Sequence, residues 1–153
     1  MTNDFMQRQK DDVIRDISSF GSLFFYILAV LIFLILGNYR AFVELLAGLA
    51  IIYIVTAILR TVFFKERPRR YNYNSYIEKL DAASFPSLHA SRTAFIGAFF
   101  MAYFGNIILA AALVLMTLLI AYSRIYLKRH DFKDVAAGII LGILVYFAVQ
   151  YLV

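Results

Sequence analysis

A chain of 153 residues has room for a single domain, and its 63% hydrophobic against 16% charged composition excludes a water-soluble protein of that size. The absence of cysteine excludes a disulfide framework, a thiolate metal site and a cysteine nucleophile. The net charge of +5 is spread between apolar runs and not gathered in one solvated stripe, which speaks for membrane orientation and anion binding and against nucleic acid as a partner.

In chain order, residues 1–17 are polar and of mixed charge, carrying Asp4, Arg8, Lys10, Asp11, Asp12, Arg15 and Asp16. Phe5, Met6, Val13, Ile14 and Ile17 fall loosely on one helical face, which predicts an interfacial amphipathic helix. Acidic residues interrupt the segment and no small-residue cleavage site follows, so it does not read as a cleavable signal peptide. Residues 18–36 have no charge and match the length a helix needs to cross hydrocarbon. Gly37-Asn38 ends that run with turn chemistry, and 42–64 is a second span with Glu44 near one end and Arg60 near the other.

A polar loop over 65–85 follows, holding Arg67-Pro68, Arg69, Arg70 and Tyr71-Asn72-Tyr73-Asn74. Further spans cover 87–104 and 107–126, broken by Gly105-Asn106, and 135–153 follows the polar stretch 127–134. Backbone groups in lipid must bond within their own segment, and these runs lack the alternation of barrel strands. The predicted fold is all-α: one domain over 1–153, a polytopic membrane helical bundle of about five transmembrane helices plus the N-terminal interfacial helix. Ala90, Ala94, Ala98 and Ala102, and Gly138 and Gly142, recur at four-residue spacing and predict close helix contacts.

Odd crossings put the N-terminal segment, the 65–85 loop and the 127–134 stretch on one face. The ionisable residues of interest lie there, and such groups at a membrane edge are costly enough to suggest function. Arg60 and Arg67 stand two helical turns apart, on one face if the helix continues to Pro68; alone they read as snorkelling arginines. Pro86-Ser87-Leu88-His89 opens a span, so free backbone N–H groups and a positive dipole end meet a hydroxyl and an imidazole. Alone, that histidine reads as a satisfied interfacial residue. Ser123-Arg124, His130 and Asp134 form the third cluster. The four-residue spacing lets the Asp134 carboxylate reach the His130 imidazole, and Arg124 can fork onto two phosphate oxygens. Its bland reading is a basic loop, since Lys128, Arg129 and Lys133 are neighbours.

Taken in order, Arg60–six residues–Arg67-Pro68, Pro86-Ser87-Leu88-His89, and Ser123-Arg124–five residues–His130–three residues–Asp134 resemble the type 2 phosphatidic acid phosphatase superfamily. The resemblance covers residues 60–134 and matches the last motif in full. It implies that His130 is the nucleophile, taking phosphate as a phosphohistidine, that Asp134 orients it, and that His89 protonates the leaving lipid oxygen. It further implies that Arg60, Arg67, Ser87, the Leu88 backbone N–H and Arg124 bind the phosphate oxygens, with no metal and no cofactor. Two positions depart from the pattern: Arg60 stands where the family usually has lysine, and Leu88 where it usually has glycine. The family core usually has six helices, the first here replaced by the polar N-terminal segment.

The implied activity is hydrolysis of a membrane lipid phosphate or diphosphate, such as phosphatidic acid, phosphatidylglycerophosphate or a polyprenyl diphosphate. The partners are that substrate and the bilayer; the sequence fixes no oligomeric state. A transferase handing the phosphate to an alcohol would use the same residues, and so would vanadate-dependent haloperoxidases, which are typically soluble. From another class come a non-catalytic lipid-binding or channel protein, and a haem held between His89 and His130, which a visible absorption spectrum would reveal.

Outside the motif arginines and Arg92, the site face carries Arg8, Lys10, Arg15, Lys65, Arg69, Arg70, Lys79, Lys128, Arg129 and Lys133, against Arg40 alone opposite. The positive-inside bias predicts a cytoplasmic site in the plasma membrane, although relatives that recycle polyprenyl carriers work on the outer side. With no native cysteine to interfere, Asn74→Cys should resist an impermeant maleimide in intact cells while Asn106→Cys is labelled. The reverse pattern would move the site outside.

Overall fold

Helices form where the apolar runs lie, and their ends are set by identifiable caps. The computed structural model describes residues 2–68 and 72–153; Arg69, Arg70 and Tyr71 of the polar loop lie outside the described residues, as do Met1 and the side chains of Thr2, Asn3 and Asp4. The elements are α1 (Thr2–Ser19), α2 (Leu23–Ile35), α3 (Tyr39–Val62), α4 (Tyr76–Ala82), α5 (Leu88–Phe104), α6 (Ile107–Tyr126) and α7 (Phe132–Leu152). This is the expected all-α membrane bundle. Among the described residues, four stretches are long and apolar enough to cross a bilayer: Phe5–Ile35, Tyr39–Val62, Ile107–Tyr126 and Phe132–Leu152. The other expected span, α5, has 17 residues, near the lower limit for a crossing helix, and runs through the middle of the bundle against α7, α6 and α3.

Three boundaries differ from expectation, each for a local reason. The first apolar run does not start a helix at Ser18. Ser18 and Ser19 finish α1, the chain turns at Phe20-Gly21-Ser22, and α2 begins at Leu23. A side chain at Gly21 would come within 2.8 Å of Ile120, 3.1 Å of Thr93 and 3.2 Å of His89, so only glycine lets the chain pass this close to α5 and α6. The helix of the second expected span, α3, stops at Val62, so Arg60 and Arg67 do not share a helical face. Beyond Phe63 the chain instead pairs with the segment before α5, through a bridge between Glu66 and Ala83 and a 2.8 Å bond from the Ser84 amide to the Lys65 carbonyl. Within the predicted polar loop lies α4, capped by Ser75, whose hydroxyl accepts from the Glu78 amide at 3.2 Å. Ser75 and Glu78 have the spacing of a capping box, a signal present in the sequence.

The aromatic core lies between α2, α3, α5 and α7, with Tyr26 stacked on Phe95 and Phe33 edge-on to Phe99. Glu44 is buried near the end remote from His130, where Arg40 Nε and Gln150 Nε2 donate to its carboxylate at 2.8 and 3.1 Å. At that end too, Asn38 donates to Tyr103 Oη at 3.0 Å. At the opposite end α1 docks on the last turn of α6, where the Tyr126 hydroxyl accepts from Gln7 at 2.9 Å and donates to Asp11 at 3.0 Å. Its Phe5, Met6 and Val13 remain exposed, as an interfacial helix requires.

The small-residue stripes are where α5 and α7 meet. A Cβ on Gly142 would lie 2.3 Å from the Ser91 carbonyl and 2.9 Å from Ala94; one on Gly138 would lie 2.6 Å from the Ser87 carbonyl. Ala90 and Ala94 serve this contact, whereas Ala98 turns toward a groove with α6 and Ala102 is exposed. Gly142→Ala must push α5 and α7 apart and should cost about 1–3 kcal/mol, the usual range for overpacking. Thermal unfolding in detergent should show that loss, while Gly97→Ala, whose nearest neighbour would be Thr117 at 3.5 Å, should melt close to wild type.

Candidate active site

The parallel helices α5 and α7 both begin at the same end of the bundle, and the Ser87 amide donates to the Asp134 carbonyl at 3.0 Å to tie the two starts together. Ser87 is the N-cap of α5, and its hydroxyl is buried with no hydrogen-bond partner. Leu88, where the resemblance led one to expect glycine, is partly buried and packs against the aromatic core. His89 follows in the first turn and lines a cleft of about 420 Å³ together with Arg124, Ser18, Ser19, Arg15, Leu127 and Arg129.

Asp131 caps α7 in a reciprocal box: its carboxylate accepts from the Asp134 amide at 3.0 Å, and the Asp134 carboxylate accepts from the Asp131 amide at 3.0 Å. Asp134 is fully buried. Its nearer oxygen stands 3.8 Å from His130 Nδ1, which is charge contact but beyond hydrogen-bond distance, and Nδ1 has no other partner. The four-residue spacing therefore brings the pair together as expected, with the carboxylate held back by its cap and by Lys65. Lys65 Nζ donates to Asp134 Oδ1 at 2.7 Å and to Asp131 Oδ2 at 2.5 Å.

Burial is the leading reason that His130 is held below the ordinary histidine range. The Asp134 carboxylate opposes that shift, and Arg124 and Arg67 reinforce it. The ring is therefore neutral at pH 7, and protonation becomes important only at a lower pH than for a free histidine.

The arginines are held by backbone and hydroxyl acceptors. Arg60 donates to the Leu80 carbonyl at 2.8 Å and the Pro86 carbonyl at 3.2 Å, bracing the loop that delivers Ser87, while its Nε is buried without a partner. Arg67 donates to the Asp81 carbonyl and lies 3.9 Å from the Asp81 carboxylate. Arg124 Nη1 donates to Ser18 Oγ at 2.8 Å, and its Nε is likewise buried without a partner. Arg67 and Arg124 act electrostatically on both histidines. The structure thus gathers His89, His130, Asp134, Ser87, Arg67 and Arg124 at one end of the bundle, with Arg60 bracing them from behind. Among the described residues, no three His, Cys, Asp or Glu side chains stand together as a metal cluster.

Sequence reasoning missed Lys65 and Asp131. Asp131 was legible as an N-cap three residues before Asp134. Lys65 was not, because its pairing depends on the strand-like return of the 63–66 segment.

Two imidazoles stand among arginines at the start of a membrane helix, and the sequence comparison assigns the family. Residues 41–153 match the PAP2 superfamily model, so the chain belongs to that superfamily. In fold it is similar to the crystal structure of Aquifex aeolicus LpxE, with a TM-score of 0.76 at 19% identity over 94% of this chain and 86% of that one. It is also similar to the first transmembrane PAP2-type phosphatidylglycerolphosphate phosphatase from Bacillus subtilis, with a TM-score of 0.73 at 22% identity over 94% and 76%.

Burial works against the charge of Asp131, but the Lys65 hydrogen bond and the Asp134 amide outweigh it and hold the carboxyl below the ordinary range. A carboxyl lowered by folding adds stability above its unfolded pKa, and that stability is lost as pH falls through the folded value. Lys65→Met should therefore lower the melting temperature at pH 7 and flatten its decline on acidification. An unchanged acid limb would remove Lys65 from the network.

Proposed function

We propose that this chain is a lipid phosphate or diphosphate phosphatase working through a phosphohistidine, without metal or cofactor. The observation that carries the reading is the pair of largely buried imidazoles, His89 and His130, set among Arg67, Arg124 and the partnerless Ser87 hydroxyl where two apolar helices begin. A phosphoryl group needs charge neutralisation and an in-line nucleophile more than covalent help, and this cluster supplies both. Its position at a membrane edge suits a substrate whose head is anionic and whose tail stays in lipid.

In this reading Arg67, Arg124, Ser87 Oγ and the Leu88 N–H hold the phosphate oxygens, with Arg60 contributing charge from behind the loop. His130 Nε2 attacks phosphorus while Asp134 steadies Nδ1, and His89 meets the departing lipid oxygen with a proton. Water then opens the phosphohistidine. Phosphatidic acid, phosphatidylglycerophosphate and a polyprenyl diphosphate all fit this chemistry, and the cytoplasmic face is the proposed side.

Phosphate release from a panel of these lipids in detergent tests the reading. Full activity in excess EDTA is expected, whereas loss that Mg²⁺ restores would contradict it. His130→Ala should abolish turnover. His89→Ala should lose about 10²–10⁴-fold on a lipid phosphate, the usual contribution of acid catalysis, and much less on p-nitrophenyl phosphate, whose leaving group needs little help. Equal losses on both would remove His89 from the leaving-group step. Added alcohol that lowers free phosphate while forming a new phosphate ester would favour the transferase.

A further inference from the structure

A buried cation stands one turn behind His89, and none of the family motifs includes it. Arg92, in the second turn of α5, is only 4% exposed. Its Nε and Nη2 donate to the Gly21 carbonyl at 3.3 and 2.9 Å, and its Nη1 donates to the Tyr53 hydroxyl at 2.8 Å. Nη2 also lies 3.5 Å from His89 Nδ1. The guanidinium is thus fixed by the α1–α2 turn and by α3, with a remaining N–H toward the ring.

Guanidinium has donors and no acceptor, so the ring nitrogen facing it must offer a lone pair. His89 then carries its single proton on Nε2. A second proton would sit on Nδ1 and point at a cation. The other charged groups that act on the ring most strongly are Arg124 from α6, His130 from the turn before α7, and Arg67 from the segment after α3. Arg15 of α1 lines the same cleft. These groups include no carboxylate, and the positive end of α5 acts in the same sense. His130, by contrast, faces Asp134.

We propose that Arg92 is a positioning residue that fixes His89 as a neutral imidazole with its proton on Nε2, so that His89 serves the leaving oxygen as an N–H donor and not as an imidazolium acid. A neutral imidazole at a helix N-terminus is an effective electrophile of this kind. The proposal rests on the phosphohistidine reading above. In the first half-reaction the bond from phosphorus to the lipid oxygen breaks as the bond to His130 Nε2 forms. The departing oxygen takes the Nε2 proton of His89, and the charge left on that ring is held by the Arg92 N–H at Nδ1. In the second, water returns a proton to His89 Nε2 as its oxygen bonds phosphorus and the phosphorus–nitrogen bond breaks. Ester and water become alcohol and phosphate, and both rings recover their starting state.

The test is a double-mutant cycle read on two leaving groups. Arg92→Met, His89→Ala and the double variant are assayed on a lipid phosphate and on p-nitrophenyl phosphate. Arg92→Met should lower kcat on the lipid by about 10–100-fold, the range known for loss of the partner that orients a metal-bound histidine. KM should hold, since Arg92 does not touch the phosphate, and p-nitrophenyl phosphate should be nearly unaffected. In the His89→Ala background the Arg92 substitution should change nothing beyond about twofold. Tyr53→Phe, which frees Nη1 but keeps the charge, should show the same pattern more weakly, and it carries the test if Arg92→Met does not fold. Losses that multiply in the double variant, or that are equal on both substrates, would make Arg92 a structural residue and overturn the proposal. If His89→Ala itself treats both leaving groups alike, the role of His89 falls first, a result distinct from failure at Arg92 alone.

Discussion

The close approach of α5 and α7 is the constraint on which the rest depends. Gly138 and Gly142 let the backbone of α7 lie against the Ser87 and Ser91 carbonyls, at distances no side chain would permit. Because the two helices run parallel, that contact sets their N-termini side by side and allows the Ser87 amide to bond the Asp134 carbonyl. The positive ends of both helix dipoles then point out of the same end of the bundle, which favours an anion there. In hydrocarbon there is no hydrophobic drive between helices, so this packing of small residues is itself a main source of cohesion.

Charge at that end follows a division of labour. Lys65, Asp131 and Asp134 satisfy one another and hold the start of α7. On the other side of His130, Arg60 and Arg124 bond to carbonyls and to Ser18, neutral acceptors that do not cancel their positive charge. Buried cations of this kind are costly without an anion. On the proposed reading, the substrate phosphate supplies that anion, and Arg124 Nε and Ser87 Oγ gain the partners they lack within the chain. Arg92 extends the same economy one turn deeper, where the Gly21 carbonyl and the Tyr53 hydroxyl carry it.

Much of this was legible in the sequence because it depends on local spacing. The apolar runs gave the helices, the glycine–asparagine pairs gave their turns, and the motifs named the residues that gather at one end. What was not legible depends on contacts between distant segments. Beyond the end of α3 at Val62 the chain pairs Glu66 with Ala83, which no periodicity encodes, so the condition under which Arg60 and Arg67 would share a helical face is not met. The turn at Gly21 lies inside an uncharged run and is explained only by the neighbours from α5 and α6 that crowd it. Arg92 looked like one more charge in a span until the Gly21 carbonyl came to lie beside it.

The central claim is that His130 carries the phosphoryl group between substrate and water. Rapid acid-free quenching of the enzyme with ³²P-labelled lipid phosphate, followed by mapping of the labelled peptide, tests it most directly. The account predicts label on His130, stable in alkali and labile in acid as a phosphoramidate is, and absent in His130→Ala. Turnover by the wild-type enzyme with no protein-bound label under single-turnover conditions, or label on any other residue, would contradict it.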